Sequence, residues 1–133
     1  MIAVDTNVIA YLLIEGEHTG NARVVLRKDP DWIAPPLWRS EFRNVLMLYL
    51  RKGLMSLADA QRLLAGAEKY LERGEASPDS ALVLSLALAS GCTSYDCEFV
   101  ALAQSLGVPL VTADRKVLAA FPSTAVSPEA FAS

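Results

Sequence analysis

Cysteine and histidine are almost absent from this sequence, which has two cysteines and one histidine among 133 residues. Cys92 and Cys97 are without the third and fourth ligands of a zinc site, and a chain with only two cysteines seldom relies on a disulfide. We therefore interpret both cysteines as reduced packing residues. His18 lies in a polar stretch of the chain, where we expect it to be solvated.

Long apolar runs are missing as well. The longest run after the opening segment, residues 81–89, is well short of the roughly 18 to 20 residues that a membrane span requires. In the opening segment Asp5 interrupts the apolar run and no basic residue precedes it, so a signal peptide is not indicated. We expect a cytoplasmic protein without a membrane segment.

An excess of positive charge is the third missing feature. The net charge is −3 and the pI is about 5.1, so the chain as a whole does not attract a polyanion, and nucleic acid must be bound by local contacts. Hydrophobic residues make up 53% of the sequence, with a mean hydropathy of +0.30. This composition excludes disorder and predicts one domain over residues 1–133, with apolar surface left over for a partner.

Short apolar segments alternate with helical periodicity along the whole chain. Strands are predicted at residues 2–4, 32–34, 92–94 and 110–112, with an edge strand at 124–126. Helices are predicted at residues 6–13, 19–28, 37–52, 96–106 and 115–120. A further helix follows a capping box of Ser56 and Asp59, and another opens at Ser77-Pro78 and closes at Gly91. Strands separated by helices predict an α/β fold, in which a parallel sheet is covered by helices on both faces.

Three aspartates stand at corresponding places in this pattern. Asp5, Asp96 and Asp114 each lie at or just past the end of a predicted strand, in the first turn of the following helix. In parallel sheets the ligand site lies beyond the carboxyl ends of the strands, so these acids share the edge where a site is expected. Taken singly, each could equally be a helix N-cap that complements the helix dipole.

Glu41 cannot be explained by capping because it lies in the middle of a predicted helix. On the helical wheel it falls between Leu37 and Leu48 on one side and Val45 on the other, inside the apolar arc. A buried carboxylate needs a partner. There are two alternatives to a functional role for Glu41: it could form a salt bridge with an arginine, or its side chain could extend to the surface.

If these four acids converge, their charges repel, and each pair at about 4 Å costs on the order of 4 kcal/mol at an effective dielectric of 20. An all-oxygen site of this kind favours Mg²⁺ or Mn²⁺ over zinc. Such an ion activates water for attack on phosphorus, which points to phosphodiester hydrolysis. Thr6, Asn7 and Thr112 stand beside the acids and could assist as auxiliary residues, or could be ordinary turn and cap residues.

Four segments of the sequence together resemble the PIN-domain nucleases, and among them the VapC-type ribonuclease toxins of toxin-antitoxin pairs. The segments are Val4-Asp5-Thr6-Asn7-Val8-Ile9, Ser40-Glu41, Tyr95-Asp96-Cys97-Glu98-Phe99-Val100-Ala101-Leu102-Ala103 and Leu110-Val111-Thr112-Ala113-Asp114. The resemblance spans nearly the whole chain. It implies a three-layer α/β/α sandwich with a central, mostly parallel sheet, dependence on Mg²⁺ or Mn²⁺, endonucleolytic cleavage of RNA, homodimers, and inhibition by a small VapB-like antitoxin.

By position, the resemblance gives Asp5, Glu41, Asp96 and Asp114 the family's catalytic, metal-binding roles, and Thr112 matches the hydroxyl residue near the site. Many relatives carry another acid two residues beyond the last aspartate. Here that position is Lys116, which leaves open whether one or two metal ions are bound.

The remaining charged residues near the motifs have less specific interpretations. Glu98 points about 200° away from Asp96 on a helix and is expected to be a surface residue. Arg115 and Lys116 follow the last acid and are candidates for contact with RNA phosphates. Arg39 and Arg43 share a helix with Glu41 but lie on another face, where simple solvation is expected.

Three other functions fit parts of the pattern. A phosphatase of the haloacid dehalogenase type would need a second aspartate two residues after Asp5, where the sequence has Asn7. A receiver-like phospho-signalling domain would need paired acids after the first strand and a lysine after a late strand, and neither is convincingly present. A catalytically degenerate PIN fold that binds a protein is opposed by the intact acids.

Overall fold

Strands and helices alternate in the structure, a computed structural model that describes all residues from Met1 to Ser133. The strands are β1 (Ile2–Val4), β2 (Trp32–Ile33), β3 (Leu110–Val111) and β4 (Ala125–Val126). The helices are α1 (Thr6–Leu13), α2 (Thr19–Lys28), α3 (Leu37–Arg51), α4 (Leu57–Tyr70), α5 (Ser80–Ser90), α6 (Ser94–Leu106), α7 (Arg115–Ala120) and α8 (Pro128–Ala132).

The four strands form one parallel sheet in the order β2-β1-β3-β4. The chain moves from β1 to β2 in one direction along the sheet and from β2 to β3 in the other. Because parallel crossovers are right-handed, these two connections put helices on opposite faces of the sheet. The three-layer α/β/α fold and the parallel sheet expected from the sequence are confirmed.

Apolar side chains from the sheet and from helices on both faces form the core. Trp32 of β2, Trp38 and Phe42 of α3 and Phe99 of α6 are among its largest fully buried side chains. Helix α6 packs on β1 and β3, while α1 packs on α2, α3 and α4. A smaller cluster between α5 and α6 contains both cysteines, which are free and buried, so their interpretation as packing residues is confirmed.

The strand expected at residues 92–94 is absent, and that prediction was wrong. Cys92 lies in irregular chain, and Thr93 is instead the N-cap of α6, where its Oγ1 accepts a hydrogen bond from the Asp96 N–H at 3.0 Å. A cap at Thr93 satisfies an N–H group that the helix itself cannot satisfy. Asp96 therefore lies in the first turn of a helix, as expected, but no strand precedes it.

The start of α5 and the presence of α8 also differ from expectation. Helix α5 begins at Ser80 with Asp79 as its N-cap, two residues beyond Ser77-Pro78. Helix α8 was not predicted, and it is capped by Ser127 with Pro128 in its first turn. In both cases a side chain that can accept a hydrogen bond from a free N–H sets the boundary.

The loop after α4 returns to the edge of the sheet beside β2. The Ala34 N–H donates to the Gly74 carbonyl oxygen at 2.8 Å, and Ala34 forms a parallel bridge with Glu75. Gly74 is buried, and a Cβ atom at this position would lie 1.7 Å from the carbonyl oxygen of Trp32. Only glycine allows the two backbones to approach this closely.

Arg39 fastens the same loop to α3 and is not simply solvated, which corrects the expectation from the sequence. Its guanidinium forms ion pairs with Glu75 and Glu68, each at 2.9 Å, and lies over the Trp38 ring. These partly exposed ion pairs beside an aromatic ring hold the end of α4 and the following loop against α3.

None of the eight helices combines the length and the hydrophobicity that a membrane crossing would need.

Candidate active site

An open cleft of about 300 Å³ lies at the carboxyl edge of the sheet, where β1 and β3 run side by side. We call it the acid cleft. Its lining consists of Asp5, Thr6, Asn7, Glu41, Asn44, Val45, Asp96 and Asp114. The fold thus brings all four predicted acids to one place. Asn44 and Val45 were not predicted as site residues. Asn44 could have been found from the sequence, because it lies three residues after Glu41 and therefore on the same face of the helix.

Asp5 is held rigidly between β1 and β3. Its Oδ1 accepts a hydrogen bond from the Thr6 N–H at 2.8 Å, and its Oδ2 accepts one from the Thr112 hydroxyl at 2.7 Å. The pKa of Asp5 is raised to about 6, mainly by burial and also by the charges of Glu41 and Asp96, while the hydrogen bonds from Thr112 and Thr6 limit the rise. An ionised Asp5 is therefore costly unless a positive charge stands nearby.

Thr112 is fully buried directly after β3 and connects two of the acids. Its hydroxyl donates to Asp5 and accepts a hydrogen bond from the backbone N–H of Asp114 at 3.0 Å. A single hydroxyl therefore couples the position of the Asp5 carboxylate to the start of the Asp114 turn.

Glu41 reaches the acid cleft from α3 and is half-buried. Its Oε1 accepts a hydrogen bond from the Thr6 hydroxyl at 2.8 Å, so Thr6 positions it. Burial raises the pKa of Glu41, and Asp96 and Glu98 add to the rise. The buried face of α3 is formed by Trp38, Phe42 and Leu46, and Glu41 lies beside this face rather than within it.

The other two acids differ in their local role. Asp114 is the N-cap of α7, where its Oδ1 accepts hydrogen bonds from the N–H groups of Lys116 and Val117. Asp96 caps nothing, because Thr93 occupies the N-cap of α6. Capping therefore accounts for Asp5 and Asp114 in part, but not for Asp96 or Glu41.

The remaining predicted residues surround the cleft unevenly. Asn7 lines it, and its Oδ1 accepts a hydrogen bond from the Ala113 N–H at 3.3 Å. Arg115 and Lys116 are exposed and do not line it, although Arg115 lines a neighbouring cavity. Glu98 also stays outside the lining, as expected, but it is half-buried and close enough to raise the pKa of Glu41.

The negative charge of the acid cleft is not neutralised by the protein. None of the four acids forms a salt bridge, and no lysine or arginine lines the cleft. This excludes the alternative of a salt bridge for Glu41. The donor set is all oxygen and suits a hard divalent cation. As the side chains lie, no three acids stand close enough together to hold an ion, so their role as ligands stays a prediction.

Comparison with known proteins shows which family this chain belongs to. Residues 2–122 match the family described as the PIN domain. The chain belongs to the PIN-domain family. The resemblance seen in the sequence is confirmed at this level.

Two relatives of this PIN domain come from Pyrobaculum aerophilum. The chain is 27% identical over 125 residues to a protein named Ribonuclease VapC3, and the alignment covers 92% of this chain and 95% of that protein. The structure is similar to the crystal structure of PAE2754, with a TM-score of 0.80 and 25% identity over 98% of this chain and 92% of the other. These comparisons support the three-layer fold over nearly the full length of the chain.

The raised pKa values predict how the stability of this PIN domain depends on pH. In protein freed of divalent ions, the free energy of unfolding should rise by about 1 kcal/mol between about pH 8 and pH 5. The pKa of Asp5 is about 6 in the folded chain, against an ordinary value of 3.8 for an aspartate. The folded chain therefore takes up the proton first, and this stabilisation is lost as the pH rises through 6. Glu41 acts with the same sign.

Urea unfolding in EDTA at several pH values measures this dependence. Asp5→Asn removes the carboxyl group whose pKa is raised, so its stability profile should be flatter over the same pH range. Wild type and Asp5→Asn with the same pH profile would contradict the idea that Asp5 is an uncompensated carboxylate.

Proposed function

We propose that this PIN domain is a Mg²⁺- or Mn²⁺-dependent endoribonuclease that hydrolyses phosphodiester bonds of RNA at the acid cleft. One observation carries the proposal: four carboxylates from separate parts of the chain line a single cleft with no basic side chain to neutralise them. The similarity to a protein named Ribonuclease VapC3 supports RNA as the substrate.

The chain's own residues would hold the ion and arrange the site around it. Asp5, Glu41, Asp96 and Asp114 are the proposed ligands. A bound divalent ion supplies Lewis acidity, which activates water and neutralises charge on the phosphate. The remaining polar groups restrict the acids: Thr6 orients Glu41, and Thr112 orients Asp5. Such supporting hydrogen bonds set the direction in which a carboxylate presents its lone pairs.

The substrate backbone needs cations that the cleft itself does not provide. Arg115 and Lys116 are exposed in the first turn of α7, directly after Asp114. We propose that they contact phosphates beside the cleaved bond, where they would offset the repulsion between RNA and a chain of net charge −3.

We propose further that the protein is the toxin of a type II toxin-antitoxin pair, works as a homodimer, and is inhibited by a small VapB-like antitoxin. Exposed apolar side chains on α5 support the need for protein partners, since Leu84 is 67% and Leu88 is 89% exposed. Light scattering of the purified chain tests the dimer. A monomer at micromolar concentration would remove that part of the proposal.

Cleavage of a mixed-sequence RNA by the purified chain tests the nuclease itself. We expect cleavage in Mg²⁺ or Mn²⁺, none in EDTA, and recovery when the metal is returned in excess. Products of defined internal ends distinguish an endonuclease from an exonuclease. An intact, folded protein that cuts no RNA with either metal would instead favour a PIN fold that only binds a partner.

Thr112 gives a finer test of the proposed site. Thr112→Val removes the donor to Asp5 and the acceptor for the Asp114 N–H, so we expect roughly a 10- to 100-fold loss of cleavage and about 1–2 kcal/mol of stability. Thr112→Ser keeps the hydroxyl and should cut RNA at nearly the wild-type rate. If the two variants have equal cleavage rates, the hydroxyl does not position the acids.

A further inference from the structure

A second cavity, of about 420 Å³, adjoins the acid cleft. We call it the tyrosine cavity, because Tyr11 of α1 and Tyr49 of α3 line it. Asn7 and Val45 line both the tyrosine cavity and the acid cleft, so the two spaces meet along these side chains. Its volume falls within the roughly 300 to 1,000 Å³ typical of small-molecule sites.

Three of the eleven residues that line the tyrosine cavity carry aromatic rings. The rings of Tyr11 and His18 lie 4.4 Å apart between centroids, tilted by 34°, and Tyr49 joins them in the lining. The hydroxyl groups of Tyr11 and Tyr49 take part in no hydrogen bond within the protein, and neither does the amide nitrogen of Asn7. The cavity therefore offers flat apolar faces together with free polar groups.

The charge of the tyrosine cavity distinguishes it from a phosphate site. No lysine or arginine lines it, and Glu15 and Glu17 stand at its edge. This lining offers a phosphate no lysine or arginine, although Glu15 is itself paired with Arg23 outside the cavity. The cavity on the other side of Tyr11 and His18 is lined by both Arg115 and Glu129. An uncharged aromatic group therefore suits the tyrosine cavity better than a phosphate does.

We propose that the tyrosine cavity binds the nucleobase of a nucleotide that flanks the cleaved bond, with the base stacked on the tyrosine rings. This rests on the proposed function, because the acid cleft must hold the adjoining phosphodiester. Stacking on aromatic rings tolerates any base, and the free hydroxyl and amide groups add a preference among bases. Tyr11 and Tyr49 are thus substrate-binding residues of the site.

A double comparison tests the stacking directly. Once the cleaved bond of a test RNA is known, the same RNA is made with an abasic residue on either side of that bond. In wild type, one of the two abasic RNAs should lose roughly 5- to 150-fold in kcat/KM, the usual effect of losing one stacked base. Tyr49→Ala should show a loss of similar size on the normal RNA and little further loss on the abasic one.

Two matched variants control for the ring and for folding. Tyr49→Phe keeps the ring and removes only the hydroxyl, so its loss of kcat/KM on the normal RNA should be much smaller than that of Tyr49→Ala. Tyr70→Ala removes a tyrosine at the end of α4, which is 47% exposed and lies outside both cavities, and it should have no effect on cleavage. Either of two results would overturn the proposal. The first is that wild type cuts both abasic RNAs as fast as the normal RNA. The second is that the losses from Tyr49→Ala and from the abasic residue add in full.

A binding experiment without catalysis separates this proposal from the nuclease. Adenosine, cytidine and uridine are added to the protein in EDTA, and the ring proton signals of Tyr11, Tyr49 and His18 are followed by NMR. We expect them to shift with nucleosides and not with ribose 5-phosphate. If the ring signals do not shift, the proposed base site is overturned and the cavity would instead suit a protein partner. If the signals shift in a protein that cuts no RNA, the base site is retained and the proposed nuclease activity is overturned.

Discussion

Asp5→Asn is expected to lower metal-dependent RNA cleavage by about a thousandfold or more, the scale seen when a central catalytic group is removed. The substitution keeps the size of the side chain, and one oxygen can still accept from the Thr6 N–H or from the Thr112 hydroxyl. It removes a negative charge that Glu41 and Asp96 disfavour. The variant should therefore stay folded while the site loses its most enclosed carboxylate.

Asp79→Asn is the matched control for this result. Asp79 is exposed and caps α5 by accepting a hydrogen bond from the Ala81 N–H, and it lies outside the acid cleft. The same chemical change there should leave the rate of cleavage unchanged. A folded Asp5→Asn protein that cuts RNA as fast as Asp79→Asn would remove Asp5 from the catalytic site.

Gly74→Ala is expected to have the largest effect on stability, a loss of about 3 kcal/mol or more and a Tm lower by roughly 10 °C. The added Cβ would lie 1.7 Å from the Trp32 carbonyl oxygen, which belongs to the backbone and cannot rotate away. The loop would have to move away from Ala34, whose N–H donates a hydrogen bond to the Gly74 carbonyl oxygen at the sheet edge. Thermal unfolding followed by circular dichroism measures the shift.

Gly20→Ala controls for the general effect of the extra methyl group. Gly20 lies in α2 with no atom within 4 Å of an added Cβ, so the helix should be unchanged or slightly stabilised. Equal melting temperatures for the two variants would show that the loop at Gly74 accommodates the added methyl group without loss of stability.

The sequence was sufficient to predict elements in which local signals agree. β1, α1, α2 and α7 have the predicted bounds, and the capping box of Ser56 and Asp59 forms at the start of α4. Each of these segments combines a regular apolar period with a clear cap or stop.

The wrong strand at residues 92–94 shows where this reasoning fails. A short run containing Cys92 resembles a buried strand, but Thr93 and Asp96 also have the spacing of a helix cap, and the cap prevailed. Short apolar runs do not distinguish strand from coil by period alone. The exposure of Leu57 and Tyr70 on α4 likewise depends on which neighbouring elements cover that helix.

The meeting of the four acids in one cleft could be anticipated from their positions at strand and helix ends together with Glu41 on a helix face. The hydrogen bonds that orient them could not. Thr6 donates to Glu41 across 35 residues of sequence, and Thr112 donates to Asp5 across 107. Such pairs depend on the packing of α1, α3 and β3, which no local pattern encodes.

Helix α3 carries both Glu41 and Tyr49, eight residues apart on one continuous helix. That spacing corresponds to about 12 Å along the axis and about 80° beyond two full turns, so the two side chains leave the helix roughly a quarter turn apart. One residue inserted between Asn44 and Val45 would turn Tyr49 by about 100° relative to Glu41. Under the proposed function, α3 sets the distance between the cleaved bond and the bound base, so variants that lengthen it would change which bond is presented rather than whether a bond is cleaved.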